Sequence, residues 1–165
     1  MRFRPARVAG SPQRLKHPDG FAITYRVAPL DMIGILIVSH GDLGRSLADC
    51  ASHVLESDIP QLAWLGVAPG DDPDVIVCSA EALIGRLDGG DGVLVLSDIC
   101  GATPCNVATR LVVPGRVACV AGANLPMLLR ALTYRGEPLA AVADKALAGG
   151  REGVMRIAGK SHDAV

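Results

Sequence analysis

The chain has 165 residues, with 16 basic and 17 acidic side chains, a formal net charge of −1, half its residues apolar and only 3% aromatic. That length holds one full core but not two comfortable ones, and the charge balance gives no electrostatic reason to invoke nucleic acid or an anionic membrane as partner. No apolar run approaches the roughly 20 residues needed to cross a bilayer, and five cysteines without Cys-x-x-Cys spacing indicate neither a disulfide framework nor a zinc site, which makes a reducing cytoplasm the simplest home.

Residues 1–31 carry Arg2, Arg4, Arg7, Arg14, Lys16 and Arg26 against only Asp19 and Asp31, with scattered prolines and no apolar core of a secretory signal. They are expected to be a disordered or dispensable tail, and Met32, directly before the first strand, marks an alternative start. The run from Ile33 to Gly41 is unbroken, rich in isoleucine and valine, and ends on Ser39, His40 and Gly41. It reads as a strand buried on both faces of a parallel sheet. Leu43, Leu47, Cys50, Ala51, Val54 and Leu55 then repeat at helical spacing, so a helix covers roughly Gly44 to Leu55. Leu62 to Val67 is the second strand, broken by Pro69-Gly70. Asp72-Pro73 is a cap-and-start pair for a helix along Ile76, Ala80, Leu83 and Leu87 that Gly89-Gly90 ends.

Val93 to Ser97 is the third strand and runs into Asp98, Gly101 and Thr103-Pro104, a second cap-and-start pair for a helix to about Leu111. Val117 to Ala121 is the fourth strand. Helices follow at about Met127 to Tyr134 and Pro138 to Leu147, the latter stopped by Gly149-Gly150, and Val154 to Ile157 reads as a last short strand. Alternating strand and helix indicate an α/β domain, one doubly wound and mostly parallel sheet over about residues 32–158, with 159–165 a short terminal tail. Right-handed crossovers with helices on both faces favour strand order 2-1-3-4.

In that order the first and third strands are neighbours, and ligands bind beyond the carboxyl ends where the order reverses. His40 and Asp98 stand at those two ends. A carboxylate bonded to one imidazole nitrogen fixes the tautomer and frees the other as a nucleophile or ligand. Thr103 and the amides opening the Pro104 helix add a hydroxyl and a positive dipole end suited to a phosphate. Taken singly, His40 is a turn residue and Asp98 and Thr103 are helix caps; their conjunction with Gly101 at two adjacent strand ends points to chemistry. His17 and His162 lie near the termini and His53 lies mid-helix. There is no P-loop, no dinucleotide-binding glycine loop and no Gly-x-Ser-x-Gly elbow. Cys100 and Cys105 read as packing residues rather than ligands, and no motif calls for a metal or another cofactor.

Ser39-His40-Gly41, Asp98-x-x-Gly101-x-Thr103-Pro104-x-Asn106, Asn124-Leu125-Pro126-Met127-Leu128 and Gly150-Arg151-Glu152-Gly153 occur in this order over nearly the whole body. Together they resemble the IIA component of the mannose family of the bacterial phosphoenolpyruvate-dependent sugar phosphotransferase system. The resemblance implies that His40 is transiently phosphorylated by the phosphocarrier protein HPr. It further implies that Asp98 orients His40, and that Thr103 with the neighbouring amides, Gly101 and Gly41 among them, holds the phosphoryl oxygens. It implies a homodimer in which the segment near Val154 to Ile157 is exchanged between subunits, and a IIB component as a separate onward acceptor, or else a purely regulatory role. Family members usually have two glycines before the hydroxyl residue, where this chain has Gly101-Ala102. The same fold serves the phosphoryl-relay subunit of dihydroxyacetone kinases, and a non-catalytic anion-binding module is the reading from another class. Leu43, Ile99 and Met127 are expected at the apolar rim where HPr would dock.

Overall fold

The computed structural model describes residues 13–16, 22–25 and 32–157. Four strands form one all-parallel sheet: β3 (Gly34–His40), β4 (Leu62–Val67), β5 (Val93–Ser97) and β6 (Val117–Ala121), in the order β4-β3-β5-β6. Counting from β3, this is the expected 2-1-3-4. Ahead of it lie two short antiparallel strands, β1 (Gln13–Lys16) and β2 (Ala22–Tyr25), paired from Gln13 with Tyr25 to Lys16 with Ala22.

Period-two alternation along β3 sends its side chains into two cores. Leu36 and Val38, with Val93 and Val95 of β5, meet α2 (Pro73–Leu87) and α3 (Thr103–Arg110). Ile35 and Ile37, with Leu94 and Leu96, meet α1 (Leu43–Val54), α4 (Leu125–Tyr134) and α5 (Leu139–Glu152). All eight of these strand side chains are fully buried. Each large aliphatic side chain taken out of water contributes about 1.5–3 kcal/mol, so the burial in these two cores is the main stabilising term. The β1–β2 ribbon is a sheet of its own that meets the body through β2 and β4, and a two-stranded ribbon adds little stability in water. A chain beginning at Met32 is therefore expected to melt within a few degrees of the full-length protein by calorimetry. A large drop would make the β1–β2 pair part of the fold. The rest of residues 1–31, and residues 158–165, lie outside the described residues.

Local chemistry sets the helix starts. Asp72 caps α2 by accepting the Asp74 amide at 2.9 Å, with Pro73 at the first helical position, as expected. Asn124 caps α4 by accepting the Met127 amide at 3.0 Å. Its Nδ2 also donates to the carbonyls of Gly122 and Gly150, which ties α4 to α5.

One expectation is corrected at the C-terminal end. Gly149 and Gly150 do not stop α5, which runs through them to Glu152. A Cβ on Gly149 would stand 2.7 Å from the Arg130 Cβ, and one on Gly150 would stand 2.6 Å from the Met127 Cε. The glycines are there so that α4 and α5 can pack closely, and Arg130 bonds Glu152 at 2.8 Å across the same seam. Among the described residues Val154 to Ile157 pairs with no strand, and Val154, Met155 and Ile157 are 68–81% exposed.

Candidate functional site

β3 ends on His40 and β5 on Ser97, so the neighbouring carboxyl ends deliver His40 and Asp98 to one place. His40 Nδ1 lies 2.7 Å from Asp98 Oδ2, and the His40 backbone amide donates to the same oxygen at 2.9 Å. Asp98 Oδ1 accepts the Ile99 amide at 2.9 Å. The carboxylate is only 9% exposed, whereas the imidazole is 53% exposed.

Burial alone would raise the Asp98 pKa. The His40 amide, the His40 ring and the Ile99 amide outweigh it, and hold the carboxyl below its ordinary value. Asp98 is thus ionised at neutral pH. Its contribution to stability is complete above the unfolded carboxyl pKa of about 3.9 and is lost as pH falls through the lower folded value. An ionised carboxylate can only accept, so Nδ1 must carry the imidazole proton. In the neutral ring the lone pair then lies on Nε2, which is exposed and has no partner among the described residues.

The turn after His40 is fixed from outside. Gly41 has φ +49°, and its amide donates to the Val67 carbonyl at 3.0 Å. Gly66 of β4, paired with Ser39, passes so close that a Cβ on it would stand 2.5 Å from the Gly41 carbonyl oxygen. Backbone cannot yield there as a flexible side chain would. Gly66→Ala is therefore expected to destabilise the protein by about 1–3 kcal/mol, measured by urea titration, and to displace the His40 turn. An unperturbed midpoint would show that the turn makes room for a methyl group.

Thr103 is the first residue of α3 and not its cap, which corrects the reading of Thr103-Pro104. The cap position is held by Ala102, which has no side-chain oxygen to offer. The helical ladder starts with the Asn106 amide on the Ala102 carbonyl at 3.0 Å, so the amides of Thr103 and Cys105 precede it. An uncapped helix start beside an exposed hydroxyl is suited to an anion. Gly101 takes φ +87°, whereas Ala102 is extended at φ −102°, ψ 170°, a conformation open to any residue. The second family glycine is therefore dispensable in this loop.

Leu43 and Ile99 flank the site at 43% and 56% exposed, and Val75, at the start of α2, adds a third apolar side chain at this end of the sheet. Met127 does not belong to this rim: it is 3% exposed and packs in the core under α4. Cys105 is buried and Cys100 exposed, and burial, with Cys105 and Cys100 nearby, pushes the Cys119 thiol up to about 11. Among the described residues, no group of three or more His, Cys, Asp or Glu is placed to hold a metal ion. No helix there is long and apolar enough to cross a membrane.

Ser39 and Gly66 were missed as site residues. Ser39 stands in the motif but showed no role, and its fully buried hydroxyl accepts the Gly44 amide at 2.8 Å. No local signal marks Gly66, because what it serves is contact with another strand.

Comparison with known proteins bears on this geometry. A family model described as PTS system fructose IIA component, EIIA-man, matches residues 34–147. The PTS system mannose-specific EIIAB component of Escherichia coli K12 is 33% identical over 134 residues, covering 78% of this chain, and its counterpart in Shigella flexneri matches equally. The chain spans 40% of the length of these curated relatives. Among solved structures, the mannose/sorbose specific IIA subunit from Enterococcus faecalis superposes with a TM-score of 0.70 at 23% identity, covering 79% of this chain and 98% of that one. The phosphotransferase system component EIIA from Streptococcus agalactiae gives 0.68 at 23% identity, with 76% and 97% covered. At that identity the likeness carries the fold alone.

Proposed function

This chain belongs to the mannose-type IIA family of the phosphotransferase system, and from that premise we propose that it is a phosphoryl carrier that receives its phosphoryl group from phospho-HPr on His40. The observation that supports this most is the 2.7 Å bond from His40 Nδ1 to Asp98, which in the neutral ring puts the lone pair on the exposed Nε2. Nε2 attacks the phosphorus in line as the bond to the donor's nitrogen breaks, and the electron pair of that bond returns to the donor. The positive charge that develops on the His40 ring is offset by Asp98 through the Nδ1 proton. Phosphoryl transfer passes through a loose transition state, so positioning and charge stabilisation are what the protein must supply. Thr103, with the amides of the α3 start and Gly101, is assigned to the phosphoryl oxygens, while the Gly41 amide, bonded to the Val67 carbonyl, shapes the turn instead. No metal or nucleotide has a part in this scheme.

The apolar trio Leu43, Val75 and Ile99 suits a protein donor that must dock without trapping water. A separate IIB component is the onward acceptor in this reading, with a purely regulatory use of the phosphorylated form as its variant. The functional unit is residues 32–158 in the cytoplasm. The exposed Val154, Met155 and Ile157 fit a segment that pairs with a second copy of the chain in a homodimer. No sugar is assigned, since a IIA component touches proteins only.

The test is incubation with phosphoenolpyruvate, enzyme I and HPr. The expected product carries an acid-labile, base-stable phosphate. Absence of label with a cognate HPr would favour the non-catalytic anion-binding reading.

A further inference from the structure

We propose that Ser39 is a positioning residue for the phosphoryl acceptor: its buried hydroxyl ties the first turn of α1 to the strand carrying His40, and so holds the imidazole in the pose that bonds Asp98. The proposal rests on the carrier reading for its kinetic consequence but not for its geometry. A helix N-terminus leaves its first amides without intrahelical partners, and the residue at the cap position normally accepts one of them. In α1 that residue is Asp42, whose side chain makes no cap bond. The Gly44 amide goes instead to Ser39 Oγ, five residues back and inside the sheet, at 2.8 Å.

The seat is tight on the helix side as well. A Cβ on Gly44 would stand 3.1 Å from Ile37 Cγ2, from Ser39 Oγ and from Trp64 Cβ, so α1 touches the sheet at this point. Between the two ends of this clamp lie only His40, Gly41, Asp42 and Leu43. The far side of the same turn is held by the Gly41 amide on Val67 and by the close passage of Gly66. Ser39 thus closes the remaining side.

The geometry at His40 is sensitive to such a clamp, because its backbone amide and its ring Nδ1 converge on one carboxylate oxygen. A small rotation of the turn lengthens both bonds together. It would also let the imidazole proton move to Nε2, which removes the nucleophile. A misplacement of about 1 Å at a reacting group costs on the order of a hundredfold in rate.

The experiment uses the full-length protein with Ser39→Ala, Ser39→Cys and Ser39→Thr. Single-turnover phosphorylation by phospho-HPr is followed well below each melting temperature, and the His40 Nδ1 proton is observed by 1H–15N NMR. Ser39→Ala is expected to slow transfer about tenfold or more at nearly unchanged KM for phospho-HPr, and to weaken or shift the Nδ1 proton signal. Ser39→Thr, which keeps the hydroxyl, should restore both. Ser39→Cys keeps the volume with a poor acceptor and should resemble alanine; if Ser39→Ala does not fold, the Cys and Thr variants decide the matter between them. A lower melting temperature with unchanged rate and unchanged Nδ1 signal would reduce Ser39 to a structural cap and overturn the proposal. Should the wild-type protein take no phosphate, the carrier reading fails, while the Nδ1 signal still decides whether Ser39 holds the ring.

Discussion

His40→Ala takes no phosphate from phospho-HPr on this account, while His53→Ala is labelled at the wild-type rate. The two histidines sit at opposite ends of the same short piece of chain. His40 closes β3 at the carboxyl end of the sheet, and His53 lies exposed in the last turn of α1. His53 lies ten residue steps beyond Leu43 on the helix, roughly 15 Å along the axis at the α-helical rise. Asp98 is bonded to His40 and leaves the Nε2 lone pair free. Removing that nitrogen removes the nucleophile, and no partial activity is left. Since the side chain is about half exposed, alanine there disturbs little packing, so loss of label would not reflect loss of fold. Circular dichroism of the variant checks this directly. Label retained on His40→Ala would move the acceptor elsewhere.

Asp98→Asn is expected to slow phosphorylation by about 10²–10³-fold, the scale for removing one preorganised electrostatic group from a reacting centre. Two effects act in the same direction. An amide lacks the charge that offsets the developing imidazolium. It can also donate from its NH2 to Nδ1, which shifts the ring proton to Nε2 and blocks the attacking atom. The fold should persist, because the Asn oxygen still offers an acceptor to the His40 or Ile99 amide, which now bond the carboxylate. Single-turnover rates with phospho-HPr measure the effect. An unchanged rate would take Asp98 out of the chemistry and leave it as a brace for the turn.

Much of this site was legible because it depends on topology, and topology is written in apolar periodicity. The run from Ile33 to Val38 could only be a doubly buried strand, and alternating elements then put His40 next to Asp98. What was misread depends on contacts between elements. Gly149-Gly150 looks the same in sequence whether it ends a helix or lets another helix approach, and only the facing Arg130 and Met127 decide. Met127 is expected at the rim by its position in the chain alone; with Asn124 as the cap, Met127, Leu128 and Ala131 all turn inward. Thr103 beside proline imitates a cap, yet the extended Ala102 takes that position. Ser39 and Gly66 act through partners on another element, Gly44 and Gly41, which a local pattern does not reveal. The segment Val154 to Ile157 has strand composition and no strand neighbour among the described residues, and its expected partner is a second copy of the chain.

The central claim is that the Asp98 bond makes Nε2 of His40 the acceptor atom. Long-range 1H–15N NMR of the phosphorylated protein, with peptide mapping of the label, measures this directly, because the two ring nitrogens give different coupling patterns when one carries phosphorus. The account predicts a single phosphate on His40, attached through Nε2, with the Nδ1 proton still bonded to Asp98. Attachment through Nδ1, or label on any other residue, would contradict it.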